Sequence, residues 1–144
     1  MVMLVLDTNI LELATPKHGS DFNSEASELI WRILNDQNQS IAVDNEGKIV
    51  EREYNPHLNG NQTLITWFMN MRLRNKVKKR PGIGFQIGNL QEMDNCFACV
   101  SIRTPDKILV SEDSDFQGNV KKELAKKGVK VMKTNQCHRL ICRV

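Results

Sequence analysis

Apolar residues along this chain follow two rhythms. Val2 to Leu6 is a continuous apolar run, the pattern of a strand buried on both faces of a parallel sheet, and it stops abruptly at Asp7. After a loop through Pro16 and Gly19, with Asp21, Asn23 and Ser24 as N-cap candidates, Ala26, Leu29, Ile30, Ile33 and Leu34 recur at helical spacing. They predict a helix laid on a sheet. Ser40 to Val43 reads as a second short strand, and Asn45 to Gly47 as a turn. Val50, Tyr54 and Leu58 fall four apart and predict a helix that Pro56 must bend or end. Leu64, Trp67, Phe68 and Met71 predict another, after which basic residues begin. The glycine-rich stretch PGIGFQIGN then leads to a buried helix beginning near Asp94 and carrying the small residues Cys96, Ala98 and Cys99. Ile108 to Val110 reads as a strand, Val120 to Lys127 as a helix ended by Gly128, and Val129 to Met132 as a last strand.

Strands alternating with helices predict an α/β fold: a single domain over residues 1–144, with a central, mainly parallel sheet flanked by helices. A length of 144 residues suits one core. With 40% hydrophobic and 26% charged residues, the balance is that of a soluble globular protein. The opening MVMLVL is too short for a signal or membrane segment, so a cytoplasmic protein with no membrane partner is expected. The four cysteines are expected as reduced thiols. Cys96 and Cys99 form a CxxC that Cys137 and Cys142 would complete as a zinc site. Small residues suit a buried helix there, however, and the second pair is loosely spaced for zinc, so zinc is not expected.

Charge changes the picture more by position than by amount. The formal net charge is only +3, but Arg72, Arg74, Lys76, Lys78, Lys79 and Arg80 crowd into one segment. The acids that matter follow strands: Asp7 after the first, Asp113 and Asp115 after Ile108 to Val110. Sites in open α/β sheets form at the carboxyl ends of strands. One Asp there serves as a helix cap or turn residue. Two clusters at one edge repel each other unless a cation offsets them, and hard cations such as Mg²⁺ and Mn²⁺ take oxygen ligands.

These residues carry a resemblance. VLDTNIL near the start, together with LVSEDSDF near the end, resembles the PIN-domain family of metal-dependent ribonucleases. The family's order of elements maps onto Asp7 with Thr8 and Asn9, Glu53 before Tyr54, Asp94 before CFACVSI, and Ser111, Asp113 and Asp115 with Phe116. The resemblance implies a catalytic set of Asp7, Glu53, Asp94, Asp113 and Asp115, with Asp7, Asp94 and Asp113 as ligands of Mg²⁺ or Mn²⁺. Glu51 and Glu53 both lie in VEREY. Glu53 is preferred because Ile49 and Tyr54 frame it, and Glu51 stays open. Thr8, Asn9 and Ser111 are expected to hydrogen-bond a carboxylate or a substrate phosphate, and Lys76, Lys78, Lys79 and Arg80 to contact the RNA backbone without reading its sequence. His18, His57 and His138 lie in polar surroundings and are expected at the surface, with no general-base role.

The function this implies is endoribonuclease hydrolysis of RNA. The role is either that of a toxin held by an antitoxin-like protein partner, or one in RNA processing; a homo-oligomer is compatible with both. The alternative is a PIN-fold RNA-binding or scaffold protein without turnover. A haloacid-dehalogenase-like phosphatase would need a second Asp where Asn9 stands. Two structural expectations follow: Asp7 and Asp113 converge, and Asp7→Asn hardly alters stability.

Overall fold

The computed structural model describes residues 1–15, 22–45 and 49–142. Five strands form one sheet: β1 (Val2–Leu6), β2 (Gln39–Asp44), β3 (Val77–Arg80), β4 (Ile108–Val110) and β5 (Lys130–Met132). Their order is β3-β2-β1-β4-β5, and every pairing is parallel. The apolar runs of β1, β2 and β4 lie in the middle, where helices cover both faces, which is why they show no polar alternation.

The connecting helices are α1 (Thr8–Ala14), α2 (Ser24–Asn35), α3 (Ile49–Leu58), α4 (Gln62–Leu73), α5 (Glu92–Ile102), α6 (Gly118–Lys126) and α7 (Thr134–Ile141). Of the three N-cap candidates for α2, Asn23 takes the position, its side chain accepting from the Ala26 N–H at 3.0 Å. Asn61 caps α4 in the same way. The predicted loop through Pro16 and Gly19 and the residues His18 and Asp21 fall outside the described residues, as does most of the Asn45 to Gly47 turn. Trp67 is fully buried and donates to the Ile30 carbonyl at 2.7 Å, fastening α4 to α2.

Several elements differ from the sequence reading. Val77–Arg80 is a strand, although three of its four residues are basic. It lies at the edge of the sheet, where lysines are tolerated and hinder unwanted strand pairing. Helix α3 neither ends at Pro56 nor stops before it. Pro56 lacks an N–H for the Arg52 carbonyl, yet the helix runs on to the buried Leu58. Helix α5 begins at Glu92 with Gln91 as its cap, so Asp94 sits inside the first turn instead of opening it. A final helix, α7, follows β5 and packs against α2 through Cys137 and Ile141.

Candidate metal centre

The strand order reverses direction between β1 and β4, and both strands end in acidic residues at that switch point. Asp7 leaves β1 in an extended conformation and caps α1, accepting from the Thr8 N–H at 2.8 Å. Its other oxygen accepts from the Ser111 hydroxyl at 2.6 Å, and Ser111 Oγ in turn accepts from the Asp113 N–H at 2.9 Å. Ser111 is thus a relay that joins Asp7 to the backbone of Asp113. Burial raises the Asp7 pKa, the Ser111 and Thr8 hydrogen bonds lower it, and the charge of Asp113 raises it again. The two acids are close enough to feel one another, in line with the expected convergence.

Asp94, from the first turn of α5, completes the group. Carboxylate oxygens of Asp94, Asp113 and Asp115 all lie within 4.8 Å of one another. Asp94 and Asp113 are half-buried and Asp115 is exposed. The Asp113 carboxylate accepts from the Asp115 N–H at 2.9 Å, so one loop turn presents both acids. Asp94 carries the clearest electrostatic signature. Its pKa is pushed up to about 7, first by burial, then by the charges of Asp7, Asp113 and Asp115 and by a hydrogen bond with Asp115. The donor set is all oxygen, which suits a hard divalent cation and not a thiolate or imidazole metal. Relative to the expected ligand set, Asp115 stands in the closest group, while Asp7 stands beside it, engaged by Thr8 and Ser111.

The two glutamates of α3 separate by direction. Glu51 is buried and pairs with Arg72 at 2.9 Å, holding α3 to α4. Glu53 lines a cleft of about 610 Å³ together with Asp94, Asp113, Ile49, Met93 and Arg52. Arg52 went unremarked in the sequence, where the only hint was its place next to Glu53. Among the described residues it is the one basic side chain lining that acidic cleft.

Tyr54, fully buried between the two glutamate directions, donates its hydroxyl to the last carbonyl of β1, Leu6 O. Burial raises its pKa, and Asp7 and Glu51 raise it further, so it acts as a donor and not as a base. Tyr54→Phe removes this donor from the Leu6 carbonyl beside Asp7. A loss of about 1–2 kcal/mol is expected in urea titrations, and an unchanged midpoint would remove Tyr54 from the support of this turn.

The remaining candidates divide between scaffold and surface. Ser111 is fully buried, so it orients Asp7 and Asp113 and has no access to a phosphate. Thr8 donates to Asp7, and Asn9 Oδ1 accepts from the Glu112 N–H at 3.3 Å, which ties α1 to the acidic loop. Lys76 is buried at the amino end of β3 and donates to the Asp36 carbonyl at 2.6 Å. Its role is to close that corner of the fold. Lys78 and Lys79 lie along the edge strand, and Arg80 ends it on the acidic side of the sheet. Arg72 and Arg74 are taken by Glu51 and by the end of α2. His57 and His138 are partly covered and face carboxylates, Glu12 at 3.0 Å and Glu28 at 3.0 Å. Among the described residues no group of cysteines is placed to share a metal.

A five-stranded all-parallel sheet in this order, with helices on both faces, is a PIN-like fold. No protein-family model matches the chain, and no curated protein does either. Among solved structures, it is similar to a chain of VapBC2 from Rickettsia felis, in a crystal structure bound to a DNA fragment from their promoter. That similarity has a TM-score of 0.50 at 16% identity and spans 92% of this chain and 98% of the other. At that identity the likeness is one of fold. No helix among the described residues is long and apolar enough to cross a membrane.

Proposed function

We propose that this protein is a metal-dependent endoribonuclease that hydrolyses RNA phosphodiester bonds at the carboxyl edge of its sheet. The observation that carries this reading is the convergence of Asp94, Asp113 and Asp115 at the switch point of a PIN-like sheet, beside Asp7. These residues would hold Mg²⁺ or Mn²⁺, with Asp7 and Glu53 within the same acidic field. A bound divalent cation supplies neutralisation of charge at phosphoryl oxygens and a lowered pKa for water. The chain's own part is to hold the acids in place. Ser111 and Thr8 keep Asp7 aligned, the Asp113 and Asp115 turn fixes two carboxylates, and Glu53 borders the cleft where a scissile phosphate would enter. Lys78, Lys79 and Arg80 are available to an RNA backbone nearby.

A place in a toxin-antitoxin pair, with an antitoxin-like protein or a second copy as partner, draws support from the likeness to VapBC2. The test of the reaction is incubation of mixed-sequence RNA with the protein and Mn²⁺, Mg²⁺ or EDTA, beside an Asp113→Asn control. Cleavage by the wild type with metal only, lost in the variant, is the expected outcome. RNA left intact with either metal, but still bound, would favour the reading of an RNA-binding protein without turnover.

A further inference from the structure

Half of the basic segment singled out in the sequence is consumed by the fold, since Arg72, Arg74 and Lys76 are committed to internal partners. A second concentration of positive charge lies elsewhere. Lys122 and Lys126 stand four apart on the exposed face of α6, where residues at that spacing are neighbours, and Lys127 follows at its end. With Asn119 and one acid, Glu123, they line a hollow of about 600 Å³.

Around it, two cations press on a single ring. Arg103 lies 4.9 Å from the Phe85 centroid, and Lys127 lies 4.6 Å from it. The ring attracts each cation, and through Lys127 it anchors one edge of the basic hollow. Among the described residues none of Arg103, Lys122, Lys126 and Lys127 belongs to an ion pair.

This charge connects with the candidate centre. Asp94 lines both the cleft beside Glu53 and a second hollow of about 370 Å³ shared with Asp115 and Val120. Val120 is the neighbour on α6 of Asn119, where the basic hollow begins. The two hollows therefore both border the start of α6, and the path from the carboxylates to Lys122, Lys126 and Lys127 passes over Val120 and Asn119.

We infer that this path is a track for single-stranded RNA, with the phosphates on one side of the cut site held by Lys122, Lys126 and Lys127. The inference rests on the nuclease reading for its direction, while the charge complementarity stands on α6 itself. Lysines of this kind contribute affinity through counterion release and no sequence preference.

The test is fluorescence anisotropy of a labelled mixed-sequence single-stranded RNA in EDTA, across a salt series, with Mn²⁺-dependent cleavage scored in parallel. Lys122→Ala with Lys126→Ala is expected to weaken binding about 10-fold at low salt and to flatten the slope of log K against log salt by about 1.4, two contacts at about 0.7 each. Lys122→Arg with Lys126→Arg should restore both. The control pair Lys121→Ala and Lys130→Ala removes equal charge away from the hollow. Thermal melts check that every variant is folded. An equal loss in the control pair, or unchanged affinity and slope in the Lys122 and Lys126 pair, overturns the track while leaving cleavage intact. Wild-type protein that binds through these lysines without cutting supports the track and sinks the nuclease reading. Binding confined to duplex DNA, or no binding at all, overturns the track.

Discussion

Asp94→Asn is expected to abolish metal-dependent RNA cleavage and, in the same protein, to raise stability in metal-free buffer at pH 8. The loss of cleavage should reach about two orders of magnitude or more, the scale for removing a group that stabilises transition-state charge. The gain in stability follows from the proton. Asp94 has its pKa raised from 3.8 to about 7, so the folded chain keeps a proton over a range where the unfolded chain has lost it. Folding then binds protons, and stability falls as the pH rises from about 4 to about 7. That displacement corresponds to at most about 4 kcal/mol. Asp94 is only half-buried, and screening reduces the expectation to ~1–2 kcal/mol. Loss of a carboxylate from the first turn of α5 opposes this by about 0.3–1 kcal/mol, so the gain wins. Urea titrations in EDTA at pH 4.5 and pH 8 measure it. The wild type should lose stability between the two and the variant should lose less. A wild-type stability that is flat over this interval would mean that the acids are not in mutual contact.

Asp7→Asn makes the same chemical change at the end of β1 and is expected to move stability in the opposite direction. Asp7 accepts from Thr8 on one oxygen and from the Ser111 hydroxyl on the other. An asparagine that keeps the Thr8 bond must turn its NH₂ toward Ser111, and Ser111 Oγ already accepts from the Asp113 N–H. The Ser111 hydroxyl proton is then left without an acceptor at a fully buried site. That costs about 1–2 kcal/mol, and relief of repulsion from Asp113 offsets only part of it. The net loss of ~1 kcal/mol should lower Tm by about 3–5 °C. The expectation from sequence weighed only the relief of repulsion in the acidic cluster, with stability hardly changed or raised; the buried Ser111 bond reverses that balance. Cleavage should collapse as it does for Asp94→Asn. The pair of variants thus separates the chemistry, which both lose, from folding, which they change with opposite signs. An Asp7→Asn protein that cleaves at the wild-type rate would take Asp7 out of the site.

How much was legible depended on whether a residue's signal was local. β1, β2 and β4 announce themselves because burial on both faces demands continuous apolar runs, and Ile108–Val110 appears at the predicted positions. β3 does not, because an edge strand has no such demand and VKKR reads as the end of a helix. Helix α7 was hidden by a polar sequence in which only Thr134, Cys137 and Ile141 turn inward. For the site, strand ends located Asp7 and Asp113, and the family pattern led to Asp94 and Glu53. The direction in which Glu51 points was not readable, since it depends on Arg72 reaching across from α4. The role of Ser111 required knowing that β4 lies beside β1. The lysines of α6 were passed over because helical periodicity, and not a run of adjacent charges, gathers them on one face.

The bond between Ser111 and Asp7 spans 104 positions of sequence. Asp7 leaves a ribosome ahead of Asp113, Asp115 and their supporting serine, which arrive only after that whole stretch has been made. At ordinary rates of synthesis that interval is about 5–20 s. During it the nascent chain carries β1, β2 and the partner helices but only a fraction of the acidic group. If the group cuts RNA, a half-made copy is harmless to the message being translated and to the ribosome that makes it. Harm begins with β4 settling against β1, so any partner that restrains this protein has its first target once that strand has been made.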